Sequence, residues 1–99
     1  MRAYSLRQMR DLGICVDDYK TNEKDGSFTA KLDYKQWGKN CNVLAYFTFE
    51  DGSKVMASAW KNTGYLGIPE IKKGTTVRLT FEKAKNGIVY LRKVEIIEG

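Results

Sequence analysis

The stretch Asn42–Lys61, NVLAYFTFEDGSKVMASAWK, decides how the rest of the chain reads. Asp51-Gly52 sits between two strand-like runs, and a glycine there supplies the positive φ that tight hairpin turns require. Two registers compete. A two-residue loop pairs Phe49 with Lys54 and Phe47 with Met56, mixing charged and apolar side chains on both faces. A three-residue loop, Glu50-Asp51-Gly52 with Gly52 left-handed at a bulge, pairs Phe49 with Ser53, Phe47 with Val55, Ala45 with Ala57 and Val43 with Ala59. Side chains alternate along a strand, so this second register gathers Phe, Val and Ala on one face. A one-residue slip would turn over every side chain of one strand, and the three-residue loop is therefore expected. The opposite face then carries Asn42, Leu44, Tyr46, Thr48, Lys54, Met56, Ser58 and Trp60. A half-buried sheet ordinarily shows water only small polar and charged groups. Aromatics beside a lysine are instead what a surface that stacks bases and holds phosphates requires.

Ninety-nine residues suit one domain, 1–99, with enough chain for a modest core. Seventeen Lys and Arg against twelve Asp and Glu leave a net charge of +5, which favours a polyanionic partner. No apolar run approaches the length of a membrane span, and the start MRAYSLRQMRDLG lacks the apolar centre of a signal peptide. A cytoplasmic protein without a membrane partner is expected. There is no histidine, and the two cysteines, Cys15 and Cys41, read as buried free thiols in a reducing cytoplasm. Most zinc sites and acid–base catalytic sets are thereby excluded, so no metal is expected.

Ser5 and Gln8 have capping-box spacing, Leu6 and Met9 lie three apart, and Gly13 can end a helix. Residues 1–13 thus read either as a helix closing one end of a barrel or as a basic arm carrying Arg2, Arg7 and Arg10 to phosphates. Ile14-Cys15-Val16 reads as a short strand and DDYKTNEKDG as an exposed loop. From Ser27 the pattern has period two, and Phe28, Ala30, Leu32 and Tyr34 are expected on the core face. Asn62–Gly74 reads as a loop with a helical turn. Strand periodicity returns at Val77, Leu79 and Phe81. In the last strand the parity changes between Leu91 and Val94, which predicts a bulge near Arg92-Lys93 that brings Val89, Leu91, Val94 and Ile96 to the interior.

About five strands, the last of them curving, suit a small closed β-barrel better than an open sheet with exposed edges. The layout over about residues 27–97 resembles the OB fold: a three-stranded meander, a connector and a closing hairpin. The segment Lys72–Ile96, KKGTTVRLTFEKAKNGIVYLRKVEI, is similar to the last two strands of OB-fold single-stranded nucleic-acid-binding proteins. An SH3-like barrel is the alternative, since the connector is shorter than is usual for the OB family. The resemblance implies a ligand lying across strands 2 and 3, flanked by the loops between strands 1 and 2 and between strands 4 and 5. Carried onto this chain, the face is Tyr46, Lys54, Met56 and Trp60, continued by Lys61. The first loop supplies Lys35, Trp37 and Lys39, and the second supplies Lys83 and Lys85; Tyr90 and Arg92 extend the surface along the last strand.

Each of these residues also has a plainer reading. Trp37 can fold back to plug the barrel's end, Trp60 can pack under the connector against Tyr65 or Leu66, and Tyr46 with Met56 can be covered by the N-terminal helix. The charge pattern favours binding, because Lys35, Lys39, Lys54 and Lys61 surround the aromatics while the acids gather at Asp17, Asp18, Glu23 and Asp25. The expected function is sequence-independent binding of single-stranded DNA, with RNA a weaker candidate ligand and a homo-oligomer allowed. The rival is a protein-interaction module or dimeric adaptor that uses the same aromatic face. No G-x-G dinucleotide motif or phosphate loop is present, so neither a cofactor nor an enzymatic activity is expected.

Overall fold

In a computed structural model, residues 16–98 are described. They form a mostly β structure: β1 Lys20–Thr21, β2 Gly26–Trp37, β3 Asn42–Phe49, β4 Lys54–Trp60, β5 Thr76–Lys83 and β6 Val89–Glu98. A 3-10 turn, Val16–Asp18, precedes β1, and a second 3-10 segment, Lys61–Glu70, joins β4 to β5. Val16 is therefore helical instead of extended. The expected N-terminal helix with its Ser5 and Gly13 signals, the basic arm and Cys15 lie outside the described residues, while Cys41, expected to be buried, is exposed in the loop between β2 and β3. Among the described residues no helix is long and apolar enough to cross a membrane.

All six strands belong to one sheet in the order β1-β4-β3-β2-β5-β6. The expectation of about five strands in a closed barrel differs from this on two points. A short parallel strand, β1, is added outside β4 through Lys20 opposite Val55 and Thr21 opposite Met56. The sheet is also not closed, because no backbone ladder joins β4 to β6. Curvature comes from β2, which gives its first half to β5 (Gly26–Lys31) and its second half to β3 (Ala30–Trp37).

The β3–β4 hairpin has the three-residue loop. Phe47 lies opposite Val55, Ala45 opposite Ala57 and Val43 opposite Ala59. The Phe49 amide donates to the Ser53 carbonyl at 2.8 Å, and Gly52 has φ +89. The Ser53 amide donates to the Asp51 carboxylate at 2.9 Å, which holds Asp51 below its ordinary pKa. That contribution to the folded state is present at neutral pH and lost as the pH falls through the lowered value.

The hairpin's Phe/Val/Ala face lines the main core with Leu32, Val77, Leu79, Phe81 and Leu91. At the Gly26 end of β2, Phe28 stacks on Phe49 with centroids 5.2 Å apart, and both rings approach Phe81. At the Trp37 end, Ile68 and Ile71 of the connector are buried against the same core. Four consecutive connector residues, Gly64 to Gly67, have positive φ. For Tyr65 and Leu66 that conformation costs roughly 1–2 kcal/mol each. It brings Tyr65 edge-on to Trp37 at 4.9 Å and packs Leu66 on the core.

Two bulges set which side chains face inward. In β6 the register shifts at Arg92, as the change of parity predicts, with Phe81 opposite Leu91 and Thr80 opposite Lys93. Leu91 is buried, Val89 and Val94 are half-buried against the core, but Ile96 is 61 % exposed. A second shift near the end of β6 leaves Ile97 exposed as well. In β2 the register shifts between Leu32, opposite Phe47, and Tyr34, opposite Tyr46. Tyr34 is buried, yet not with Phe28 and Leu32: it joins Tyr46, Tyr19, Leu44 and Met56 in a second cluster on the outer face. Unbroken alternation through Phe28, Ala30, Leu32 and Tyr34 carries no sign of the extra residue, Asp33.

Two substitutions test this architecture. Phe47→Ala, at a side chain with no exposed surface, should cost about 3–5 kcal/mol in urea denaturation. Gly52→Ala should cost about 1 kcal/mol because of its positive φ alone, since nothing lies near an added Cβ.

Candidate functional site

The bulge at Asp33 reverses the parity of the rest of β2, so Lys35 lies opposite Ala45 and Trp37 opposite Val43, both on the core side. The Lys35 ammonium donates to the carbonyls of Pro69 and Ile71 at 2.6 Å each, and more weakly to that of Ile68. Desolvation by burial lowers its pKa, partly offset by Glu70. Lys35 thus ties the connector to β2 and is not displayed to a ligand. Trp37 is half-buried against Tyr65, a contact that the sequence offers for Trp60, and Lys39 stands exposed in the loop beyond.

On the outer face of the hairpin, Tyr46 is only 5 % exposed. Its hydroxyl accepts a hydrogen bond from the Gln36 amide at 2.8 Å, and burial raises its pKa, with the Gln36 contact acting the other way. The Tyr19 ring lies edge-on to it at 5.1 Å. The Tyr19 hydroxyl donates to the Asp33 carboxylate at 2.8 Å, which also accepts from the Thr48 hydroxyl. Burial first, and the Asp33 carboxylate next, push the Tyr19 phenol well above its usual value. Lys54 is exposed, with its ammonium 5.5 Å from the centre of the Tyr19 ring, and Met56 is half-buried in the same cluster. Sequence reasoning missed Tyr19. The available signal was a lone aromatic inside the polar run DDYKTNEKDG.

The remaining expected residues gather where the sheet is left open. Trp60 is 42 % exposed at the end of β4. It lines a notch of about 310 Å³ together with Asn62, Leu66, Tyr90, Leu91 and Arg92. An adjoining cleft of about 170 Å³ runs between Met56 and Ser58 on one side and Ile88 and Tyr90 on the other. Arg92 lies over the Tyr90 ring at 5.2 Å, and the Asn86 amide approaches the Tyr90 hydroxyl at 3.3 Å. Lys61, Lys83 and Lys85 are exposed. Among the described residues the ion pair formed is Lys93–Glu95 at 3.7 Å, so these lysines and Arg92 are not neutralised by neighbouring acids.

The structure therefore separates the expected residues into three sets. Trp60 and Arg92 line the open seam between β4 and β6, Met56 is shared between that seam and the tyrosine cluster, and Lys61, Lys83 and Lys85 are exposed after β4, at the end of β5 and on the β5–β6 turn. Tyr46 and Lys54 lie under or against Tyr19. Lys35 and Trp37 belong to the packing of the connector, and Lys39 stands apart in its loop. Chemically, the seam joins exposed aromatic surface to unpaired cations, and its notch is at the lower end of the size of ligand pockets, about 300–1,000 Å³. No protein-family model matches the chain, and no curated protein matches it.

Lys35→Met keeps the apolar stem and removes the ammonium that three connector carbonyls share. We expect a loss of about 1–3 kcal/mol, read as a shift of the urea midpoint without a change in slope.

Proposed function

We propose that the protein binds single-stranded nucleic acid, DNA in the first place, along the seam between β4 and β6. The observation that carries this reading is Trp60: a large aromatic, nearly half exposed, beside Tyr90 and Arg92 at the one place where the curled sheet does not close. A stacked base gains about 1–3 kcal/mol on such a ring and does so whatever its identity. Phosphates on either side meet Lys61, Arg92 and the lysines of the β5–β6 turn. These contacts make affinity fall as salt rises, through counterion release.

In the same reading the sheet is an OB-like barrel with β1 added. The order β4-β3-β2-β5-β6, with β2 shared between two partners and a seam between the first and last strands, supports it. The ligand path then lies nearer the seam than the middle of the β3–β4 face. The chain acts as a binding module without a catalytic step, and the charge balance suits an intracellular polyanion. A second reading has one specific support: the exposed isoleucines Ile96 and Ile97 on β6, with Ile88 just before it, suit a protein partner or a second copy.

Tryptophan fluorescence during titration with oligo-dT at two salt concentrations tests the proposal. Quenching is expected, stronger at low salt, and it should vanish in Trp60→Ala while surviving in a Trp37 variant, Trp37→Phe. Trp60→Ala should weaken binding by about 1–3 kcal/mol. Arg92→Gln should flatten the salt dependence by about one phosphate contact. Absence of quenching and of gel retardation at low salt would remove the nucleic-acid reading and leave the protein-partner one.

A further inference from the structure

The strand-like segment before β2 covers the part of the hairpin's outer face that a ligand leaving the seam would meet next. Thr21 and Asn22 line the same cleft as Met56, Ser58 and Trp60, so this segment borders the seam directly. Its composition is notable: two carboxylates, Asp17 and Asp18, followed by the Tyr19 ring. That ring sits edge-on to the buried Tyr46, with Lys54 beside it. Asp18 lines the same large cleft as Lys54. An aromatic ring on Tyr46, with a lysine over it and a carboxylate lining the same cleft as that lysine, has the chemistry of a nucleotide in a single strand.

The attachment of this segment is slight. Its ladder to β4 consists of Lys20 opposite Val55 and Thr21 opposite Met56. Asn22 spends its side-chain hydrogen bonds on Lys24, within the segment itself. A cleft of about 1000 Å³ is lined by Asp18 and Lys20–Lys24 of the segment together with Phe28, Phe49 and Lys54. Besides that ladder and the buried Asn22, the contacts among the described residues that hold the segment over the hairpin are the Tyr19 ring and its hydroxyl bond to Asp33. Elements with few apolar contacts and a short ladder open at low free-energy cost.

We propose that Asp17-Asp18-Tyr19 is a built-in substitute for a nucleotide, which occupies a second base-binding subsite formed by Tyr46, Met56 and Lys54 and is displaced when a single strand extends from the seam along β4. The inference rests on the nucleic-acid reading above. Displacement exposes the Tyr46 ring for stacking and frees Lys54 for a phosphate. Apparent affinity is then reduced in proportion to the fraction of molecules whose subsite is uncovered. Short strands that fill the seam alone escape this competition, and longer ones do not.

The test is fluorescence anisotropy of labelled oligo-dT with the full-length chain, its Tyr19→Ala variant and its Asp17→Asn/Asp18→Asn variant. Amide exchange at Lys20 and Thr21 is followed in the unmodified protein with and without oligo-dT. Both variants should bind about three- to tenfold more tightly than the unmodified chain at low salt. The gain of the Asp17→Asn/Asp18→Asn variant should shrink as salt rises, and Tyr46→Ala should abolish the gain of Tyr19→Ala. In the unmodified chain the Lys20 and Thr21 amides should exchange faster with oligo-dT bound. Binding that Tyr19→Ala leaves unchanged or weakens, or amides that fail to speed up, overturns the displacement while leaving seam binding in place. Absence of binding by all three proteins overturns both.

Discussion

One extra residue in β2 governs much of this molecule. At Asp33 two residues of β2 oppose one step of β3, and Asp33 and Tyr34 both reach the outer face. Every residue after that point changes sides. Tyr34 moves out to form the tyrosine cluster, while Lys35 and Trp37 move in to receive the connector. Without the bulge Lys35 would face solvent and the carbonyls of Pro69 and Ile71 would lack the ammonium that joins them. The bulge is itself supported from both sides. Its carboxylate accepts from Tyr19 and Thr48, and the Leu32 amide and carbonyl pair with Thr75 and Gly74.

The two faces of the hairpin consequently belong to two packed regions of different kinds. The inner face is a dry aliphatic and phenylalanine core, closed by Phe28, Phe49 and Phe81 at one end and by Ile68 and Ile71 at the other. The outer face is a small tyrosine cluster with hydroxyls aimed at Asp33 and Gln36. Such a cluster trades apolar burial for polar contacts that a ligand can also make. The seam between β4 and β6 differs from both. No backbone ladder joins β4 to β6 there, and Trp60, at the end of β4, is left 42 % exposed.

Much of the fold was legible in the residues. The hairpin register followed from Asp51-Gly52 and from the cost of mixing Lys54 with Phe49, and the bulge at Arg92 followed from a change of parity between Leu91 and Val94. The β2 bulge was not legible, because Tyr34 is apolar enough to continue the alternation of Phe28, Ala30 and Leu32. Of the candidate residues, Trp60, Lys61 and Arg92 were singled out by their residue types and positions, and all three are exposed. Lys35 and Trp37 were expected in the loop between strands 1 and 2, whereas both belong to β2, and the parity change that turns them inward leaves no trace in their types. Tyr19 was passed over, since a polar loop gives no indication of which face it will cross.

By itself the amino-acid sequence determined the β class, the pairing of β3 with β4 and the separation of an apolar face from an aromatic one. These are consequences of short-range rules, namely turn geometry and the two-residue repeat of side-chain direction, which operate within one hairpin. Only the tertiary structure decided which aromatics are exposed, that Lys35 serves carbonyls, and that Tyr19 lies on Tyr46. Those outcomes depend on contacts between residues far apart along the chain, and on a bulge whose single extra residue has the same composition as a regular strand.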